Sequence, residues 1–415
     1  LIDEIFSATT SIGTVIALRD AGHTVELIVE PTDTRTEVGA VHLGRITRIV
    51  PAMNAAFVEI GLERAGFLPL PERKDDDAPL HAGAAAIVQV QKDAQGGKGA
   101  ALTFNVALPG RHLVYAPRGE GVAVSRRIGG GDAERARLEA AMADIAQGAP
   151  DRSKGGFILR TAAEGASAEA LAEDAAELRA AWGEIERAAR RAAPPARLWG
   201  ELDPLARVIR DRGHSGVARI VADSDAALDA ARREIGRSLP GLAGALDAYR
   251  DPIPLLDRFG IMPDIDAALA ARVGLPSGGF LYIEPTQALV AIDVNSGRHN
   301  ADSSSGPNRQ PETILAVNLE AAAEIARQIR LRNLSGLIVI DFVHMTLQDH
   351  RNQVLDALRA AMADDPSFAR IGGFSPLGLV EIARKRGRPP LHELLTEACK
   401  LCDGRGRSDL LGGER

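Results

Sequence analysis

Two stretches decide the fold: Ala288-Leu289-Val290-Ala291-Ile292-Asp293-Val294-Asn295 and Gly336-Leu337-Ile338-Val339-Ile340-Asp341-Phe342. Each is an apolar run with a carboxylate near its end, and successive side chains of a strand point to opposite faces. Leu289, Ala291, Asp293 and Asn295 therefore share one face of the first strand, and Leu337, Val339 and Asp341 one face of the second. A bare carboxylate in such a strand is expected to be costly unless it is paired or bound to a cation. If the strands are neighbours, the two carboxylates lie within ~5 Å of each other. A divalent cation would relieve their repulsion, and Mg²⁺ suits a site of one or two carboxylates that keeps several waters and meets phosphate. Taken singly, each aspartate also fits a loop cap or an arginine partner. Asn295 on the face of Asp293 adds an amide that could place a phosphate, and Arg298, after Ser296-Gly297, could meet a phosphate bidentately.

The order from residue 279 is strand, hairpin, strand, loop, long helix, strand, helix, which implies an α/β layer. The segment from Arg298 to Gln310, with three serines and Gly306-Pro307, reads as a polar loop. Near the start, Thr14 to Leu18 and Val25 to Val29 flank Asp20-Ala21-Gly22, a hairpin signal. Short β-rich runs follow at Val41 to Ile46, Ala55 to Ile60, Gly66 to Leu70, Ala86 to Val90 and Ala100 to Val106, a pattern that predicts a small closed barrel. Asp75-Asp76-Asp77, in a polar stretch between prolines, reads as a solvated loop. From residue 132 the composition shifts. Residues 132–146 and 167–194 carry Ala, Glu and Arg at helical spacing, with a strand from Gly156 to Thr161 between them. Residues 200–250 then predict a strand (Ala218 to Ala222) and helices (Ser224 to Ile235 and Leu239 to Tyr249).

The chain has 415 residues, enough for two to three domains. Its apolar content of 45% and charged content of 25% exclude a mainly disordered chain. The 49 Lys and Arg against 56 Asp and Glu give a net charge of −7, which argues against a uniformly basic nucleic-acid binder but leaves room for local basic patches. Candidates for such a patch are Arg384-Lys385-Arg386-Gly387-Arg388 and the trio Arg327, Arg330 and Arg332, although cations at a helix C-terminus also suit its dipole. No apolar run is long enough to predict a membrane span. Two cysteines exclude a disulfide framework and favour a reducing, cytoplasmic setting. They form Cys399-Lys400-Leu401-Cys402, only half of a tetrahedral zinc site, to which His350 and His392 could contribute.

Together, Ala291-Ile292-Asp293-Val294-Asn295-Ser296-Gly297-Arg298, Asn318-Leu319-Glu320-Ala321-Ala322, Ile325-Ala326-Arg327-Gln328-Ile329-Arg330-Leu331-Arg332 and the Asp341 strand resemble the catalytic core of the ribonuclease E/G family, bacterial endoribonucleases that cut single-stranded RNA. Upstream, Gly44-Arg45-Ile46-Thr47-Arg48-Ile49, Ala55-Ala56-Phe57-Val58, Gly66-Phe67-Leu68-Pro69-Leu70 and Lys98-Gly99-Ala100-Ala101-Leu102 look like the family's S1-type OB barrel. Ser125-Arg126-Arg127-Ile128 and Leu159-Arg160-Thr161-Ala162 look like its 5′-sensor, and the Cys-x-x-Cys segment looks like its zinc-link. Some residues depart from the family pattern: His344 stands three residues after Asp341 where an Asp is usual, Lys400 replaces a Pro, and Ser375-Pro376-Leu377 replaces Ser-Arg-Phe.

The resemblance implies a multidomain α/β architecture. Residues 1–37 and 198–270 would form an RNase H-like subdomain, with an S1-type OB-fold domain (38–116) and a 5′-sensor region (117–197) inserted into it. A DNase I-like catalytic subdomain (271–395), the zinc-link (396–407) and a tail (408–415) would follow, a short form without the family's small C-terminal domain. The implied activity is Mg²⁺-dependent hydrolysis of single-stranded RNA to 5′-phosphate and 3′-hydroxyl ends in RNA processing and decay. Asp293 and Asp341 would hold Mg²⁺, and Asn295 would help place the scissile phosphate. RNA would meet Phe57, Phe67, Lys98 and Arg298. Gly110, Val114, Arg160 and Thr161 would sense a 5′-monophosphate. Cys399 and Cys402 would join two chains through one shared Zn²⁺, giving a homodimer with no membrane span. The rival readings are a non-catalytic S1-type RNA-binding protein and a Mg²⁺-dependent DNase.

Overall fold

The Asp293 and Asp341 strands lie side by side in a six-stranded sheet. The structure, a computed structural model, describes residues 2–32, 36–70, 80–94, 98–125, 127–147, 155–200, 203–297, 310–363, 365, 367–400 and 402. Arg298, the loop that follows it, the Asp75 to Asp77 run, Arg126 and residues 403–415 lie outside the described residues.

The chain divides into two compact units. One comprises Leu1–Asp33, Gly216–Asp225 and Ala245–Arg415; the other comprises Thr34–Ser215 and Ala226–Gly244. The first unit holds two sheets. In the smaller, the strands run in the order Leu246–Ala248, Arg219–Ala222, Glu4–Thr10, Gly13–Asp20, His23–Pro31, with the two outer crossover strands parallel to Glu4–Thr10 and the hairpin antiparallel. The hairpin matches the sequence expectation. The Glu4–Thr10 strand does not announce itself in sequence, because Ile5, Phe6, Ser7 and Ala8 are all buried and a strand covered on both faces shows no alternation. The helix expected over Leu239 to Tyr249 is instead a 3₁₀ segment, Pro240–Ala245, followed by the strand Leu246–Ala248. Pro240, Gly241 and Gly244 disfavour a continuous helix, and the next residues pair with the neighbouring strand, Leu246 opposite Ile220.

The larger sheet of this unit runs Arg272–Gly274, Phe280–Pro285, Leu289–Asn295, Gly336–Asp341, Leu379–Arg384, Ala369–Phe374. One face is closed by the helices Gln310–Leu331 and Gln348–Ala361, against which Val290, Ile292, Val294, Ile338, Ile340, Val380 and Ile382 form a core. The opposite face of the Asp293 and Asp341 strands is open to solvent.

In the second unit, the strands Val41–Val50, Ala55–Glu59, Gly66–Pro69, Ala101–Thr103 and Ala85–Lys92 close on themselves, because Ala85–Lys92 pairs back onto Val41–Val50. This closed five-stranded barrel encloses Ile46, Ala56, Val58, Leu68, Val88, Val90 and Leu102. A separate four-stranded sheet (Val122–Val124, Gly156–Leu159, Leu113–Ala116, Leu108–Pro109) shares an apolar core with residues of the helices Gly131–Gln147 and Ala168–Arg191. These two helices and the Gly156 strand fall close to where sequence spacing puts them.

Candidate active site

The parallel pairing of Leu289–Asn295 with Gly336–Asp341 sets Asp293 directly opposite Asp341. Ile292 and Ile340 are buried and flank the carboxylates in sequence, so alternation turns both aspartates to the solvent face. This corrects the sequence expectation of carboxylates stranded in apolar surroundings. Both are exposed and face each other across one strand spacing of about 5 Å. Asn295, two residues on and on the same face, donates from its Nδ2 to Asp293 Oδ2 at 2.7 Å. One amide N–H and the carbonyl oxygen of Asn295 remain for other partners.

The chain around the carboxylates is fixed by local contacts. After Asn295 it turns through Gly297 at φ +66°, where an added Cβ would lie 2.3 Å from the Gly278 carbonyl, so only glycine fits. At the other strand, the buried Asn318 accepts from Val343 N (3.1 Å) and donates to Val343 O (2.8 Å), anchoring the chain just past Asp341. Glu320, one residue beyond Leu319, accepts from Ser277 N at 3.0 Å. The Asn318-Leu319-Glu320 motif thus holds two loops at the rim of the site. His344 is exposed beyond the strand end.

The expected phosphate-binding track is largely structural. Arg327 pairs with Glu324 (2.6 Å) and donates to Thr24 O (3.0 Å). Arg330 donates to Ala361 O (2.6 Å). Arg332 is buried against Gln328 and Ala267 O, and burial lowers its pKa to about 10. Arg384 is buried too. Its Nε and Nη2 grip Asp365 at 2.7 and 2.9 Å, and its Nη1 donates to Asn333 Oδ1 and Leu334 O. Arg388 reaches Glu26 at 3.1 Å. Only Lys385 and Arg386 of that basic run are well exposed. A sequence shows the cations but not the carbonyls and carboxylates that folding brings to them.

In the barrel, Phe57 and Phe67 are paired across adjacent strands, ring centroids 6.0 Å apart and edge to face. Their neighbours Ala56, Val58 and Leu68 fill the core, while both rings stand half-exposed on the outer face. Arg48 lies over the Phe57 ring at 5.0 Å. Lys98 is exposed.

The residues matched to the 5′-sensor also lie in this unit. Arg160 donates to the Gly110 carbonyl and to Asp211 Oδ1, the latter at 2.7 Å. Burial pushes the Asp211 carboxyl up, but Arg210 and Arg160 outweigh it and hold it below the usual carboxylate range. Asp174, buried on the long helix, accepts the backbone N–H groups of Arg111, His112 and Leu113 at 3.2, 2.8 and 2.9 Å. A Cβ on Gly110 would strike Asp174 at 2.2 Å, which explains the glycine. Val114 pairs with Ile158 on the neighbouring strand of the four-stranded sheet, and Thr161 opens a short 3₁₀ turn on the surface. Asp174 and Asp211 had no sequence signal: each is one acidic residue in a charged helix. Cys399 is exposed and Cys402 partly so. Among the described residues, no group of three or more His, Cys, Asp or Glu gathers as a metal cage, so neither His350 nor His392 completes one with the cysteines. No helix among the described residues is long and apolar enough to cross a membrane.

A pair of carboxylates on an open sheet face of one unit, and a small closed barrel carrying aromatics in the other, are the features of a nuclease class. The model of the ribonuclease E/G family matches residues 107–387. The chain is 37% identical over 420 residues to ribonuclease G of Salmonella typhimurium (strain SL1344) and of Escherichia coli (strain K12), spanning 97% of this chain and 84% of each relative. It is 39% identical over 397 residues to ribonuclease E of Nostoc sp. (strain PCC 7120), spanning 91% of this chain and 55% of that protein. The chain belongs to the ribonuclease E/G family and is an endoribonuclease.

Proposed function

We propose that the enzyme hydrolyses single-stranded RNA with Mg²⁺ held by Asp293 and Asp341, acting in the reducing cytoplasm, and that it favours RNA bearing a 5′-monophosphate. One observation carries the site assignment: Asp293 stands opposite Asp341 on a solvent-open sheet face, with Asn295 bonded to Asp293. Two hard carboxylate donors with room for waters fit Mg²⁺, which dispenses with an all-protein cage. When bound, Mg²⁺ would offset phosphate charge and acidify a water. The residues do the rest. The two carboxylates would hold the cation that the phosphate meets, and the remaining Asn295 N–H is free to donate to a non-bridging oxygen. Water then adds to phosphorus and the 3′-oxygen departs, taking a proton. That leaves a 5′-phosphate and a 3′-hydroxyl.

The strand order of the smaller sheet in this unit supports the RNase H-like reading, and the helix-backed sheet with strand-end carboxylates supports the DNase I-like one. Phe57 and Phe67 suit base stacking, worth ~1–3 kcal/mol per base, with Lys98 and Arg298 on the backbone. Arg160, already oriented by Gly110 and Asp211, suits a terminal phosphate with Thr161 beside it. Cys399 and Cys402 supply two thiolates, half of a structural zinc site, which supports one Zn²⁺ shared by two chains in a homodimer. Cleavage of matched labelled RNA and DNA oligonucleotides, with Mg²⁺ and with EDTA, tests the central assignment. Cutting of RNA alone, and only with Mg²⁺, is the expected result.

A further inference from the structure

Tyr282 is paired in register with Asp293, on the strand next to it, and so lies on the same solvent face as the two carboxylates. Phe280 is paired with Asn295 in the same ladder. The two rings stand 5.5 Å apart, edge to face. Arg272, opposite Tyr282 on the sheet's outermost strand, lays its guanidinium 4.3 Å from the centre of the Phe280 ring. Tyr282 itself is 41% exposed. The buried face of this strand is already filled by Leu281 and Ile283, so the core does not need either ring. An exposed Tyr beside a half-buried Phe that is braced by a cation is well shaped to receive a flat, π-faced ligand.

We propose that Tyr282 is a base-stacking platform for a nucleotide flanking the phosphate held at Asp293 and Asp341. Phe280 and Arg272 set its orientation. The inference rests on the assignment of those carboxylates as the cleavage site. Adjacent strands are about 5 Å apart, so a phosphate at the carboxylates places a neighbouring base over Tyr282 and not over a distant surface. Stacking tolerates any base but favours large ones, since every base presents a π-face. The platform would therefore fix the register of cleavage by demanding a stackable base at one position beside the cut. It would act separately from the aromatics of the barrel.

The test uses the full chain and a single-stranded RNA oligonucleotide with one cleavage site, scanned with an abasic nucleotide and with 2-aminopurine at each position around the cut. One position should show both a loss of cleavage when abasic and quenching of 2-aminopurine fluorescence on binding to the uncleaving Asp293→Asn protein. Tyr282→Ala should abolish that quenching and raise KM roughly fivefold to 150-fold, with a smaller change in kcat. Tyr282→Trp should restore both. Unchanged KM and quenching in Tyr282→Ala, with cleavage still dependent on Asp293, would overturn the platform and leave the carboxylate assignment standing. Undiminished cleavage by Asp293→Asn would instead remove the assignment on which the platform rests. A matched circular-dichroism melt of Tyr282→Ala separates loss of stacking from loss of fold.

Discussion

Arg160 and Asp211 form a 2.7 Å ion pair, and the same guanidinium also donates to the Gly110 carbonyl. The side chain is therefore held in place before any RNA is bound. An arginine fixed in this way loses little conformational freedom when it meets a phosphate. Arg160→Ala should erase the preference for 5′-monophosphorylated over 5′-hydroxyl RNA while slow cleavage persists. Asp211→Ala, which frees the guanidinium without deleting it, should weaken the preference without abolishing it. Initial rates on the two RNAs check both. Equal rates on both ends in the unmutated protein would refute the sensor.

The Arg384–Asp365 pair predicts a large stability effect far from the chemistry. Both side chains are almost fully buried and the pair is bidentate. Removing one partner leaves an uncompensated buried charge, which costs about 3–5 kcal/mol. Asp365→Ala should lower the urea midpoint markedly, whereas Arg386→Ala, at an exposed position in the same run, should not.

Acid should destabilise the barrel unit through two histidines. Burial holds His42 below its usual 6.5 against the pull of Glu37, and it holds His112 below 6.5 against its bond to the Ala162 carbonyl. The unfolded chain takes up these protons near 6.5, the native chain only at lower pH. The stability they contribute is thus complete above about pH 6.5 and is lost as the pH falls through their folded values. Melting temperature should drop between pH 7 and pH 5, and His112→Gln should flatten that slope. A melt series across this range gives the answer.

Zinc content measured together with solution mass tests the link at Cys399 and Cys402. One zinc per two chains and a dimer are expected, with monomer and no zinc in the Cys399→Ser, Cys402→Ser double variant. A zinc-free dimer, or one full zinc per chain, would contradict a shared ion.

The carboxylate pair was legible in sequence because alternation needs only a strand and its ends, and Asp293 and Asp341 sit at matching ends. The barrel strands were legible for the same reason. What could not be read were contacts made at long range. Arg384 looks like any surface cation until Asp365 closes on it, and Asp174 looks like any helix carboxylate until three backbone N–H groups turn to it. The solvent exposure of Asp293 and Asp341 was missed because an apolar strand suggests burial on both faces, whereas helices cover only one. Tyr282 alternates visibly with Leu281 and Ile283, but its place beside Asp293 depends on a register that only the folded sheet supplies.

Cleavage of one labelled single-stranded RNA by the unmutated protein, Asp293→Asn and Asp341→Asn, titrated with Mg²⁺, is the decisive test of Asp293 and Asp341 as the metal-holding pair. Each substitution removes one charged ligand and should lower the rate at least ~100-fold, with RNA binding retained and the Mg²⁺ requirement shifted upward. Full-rate cleavage by the Asp293→Asn, Asp341→Asn double variant would contradict it.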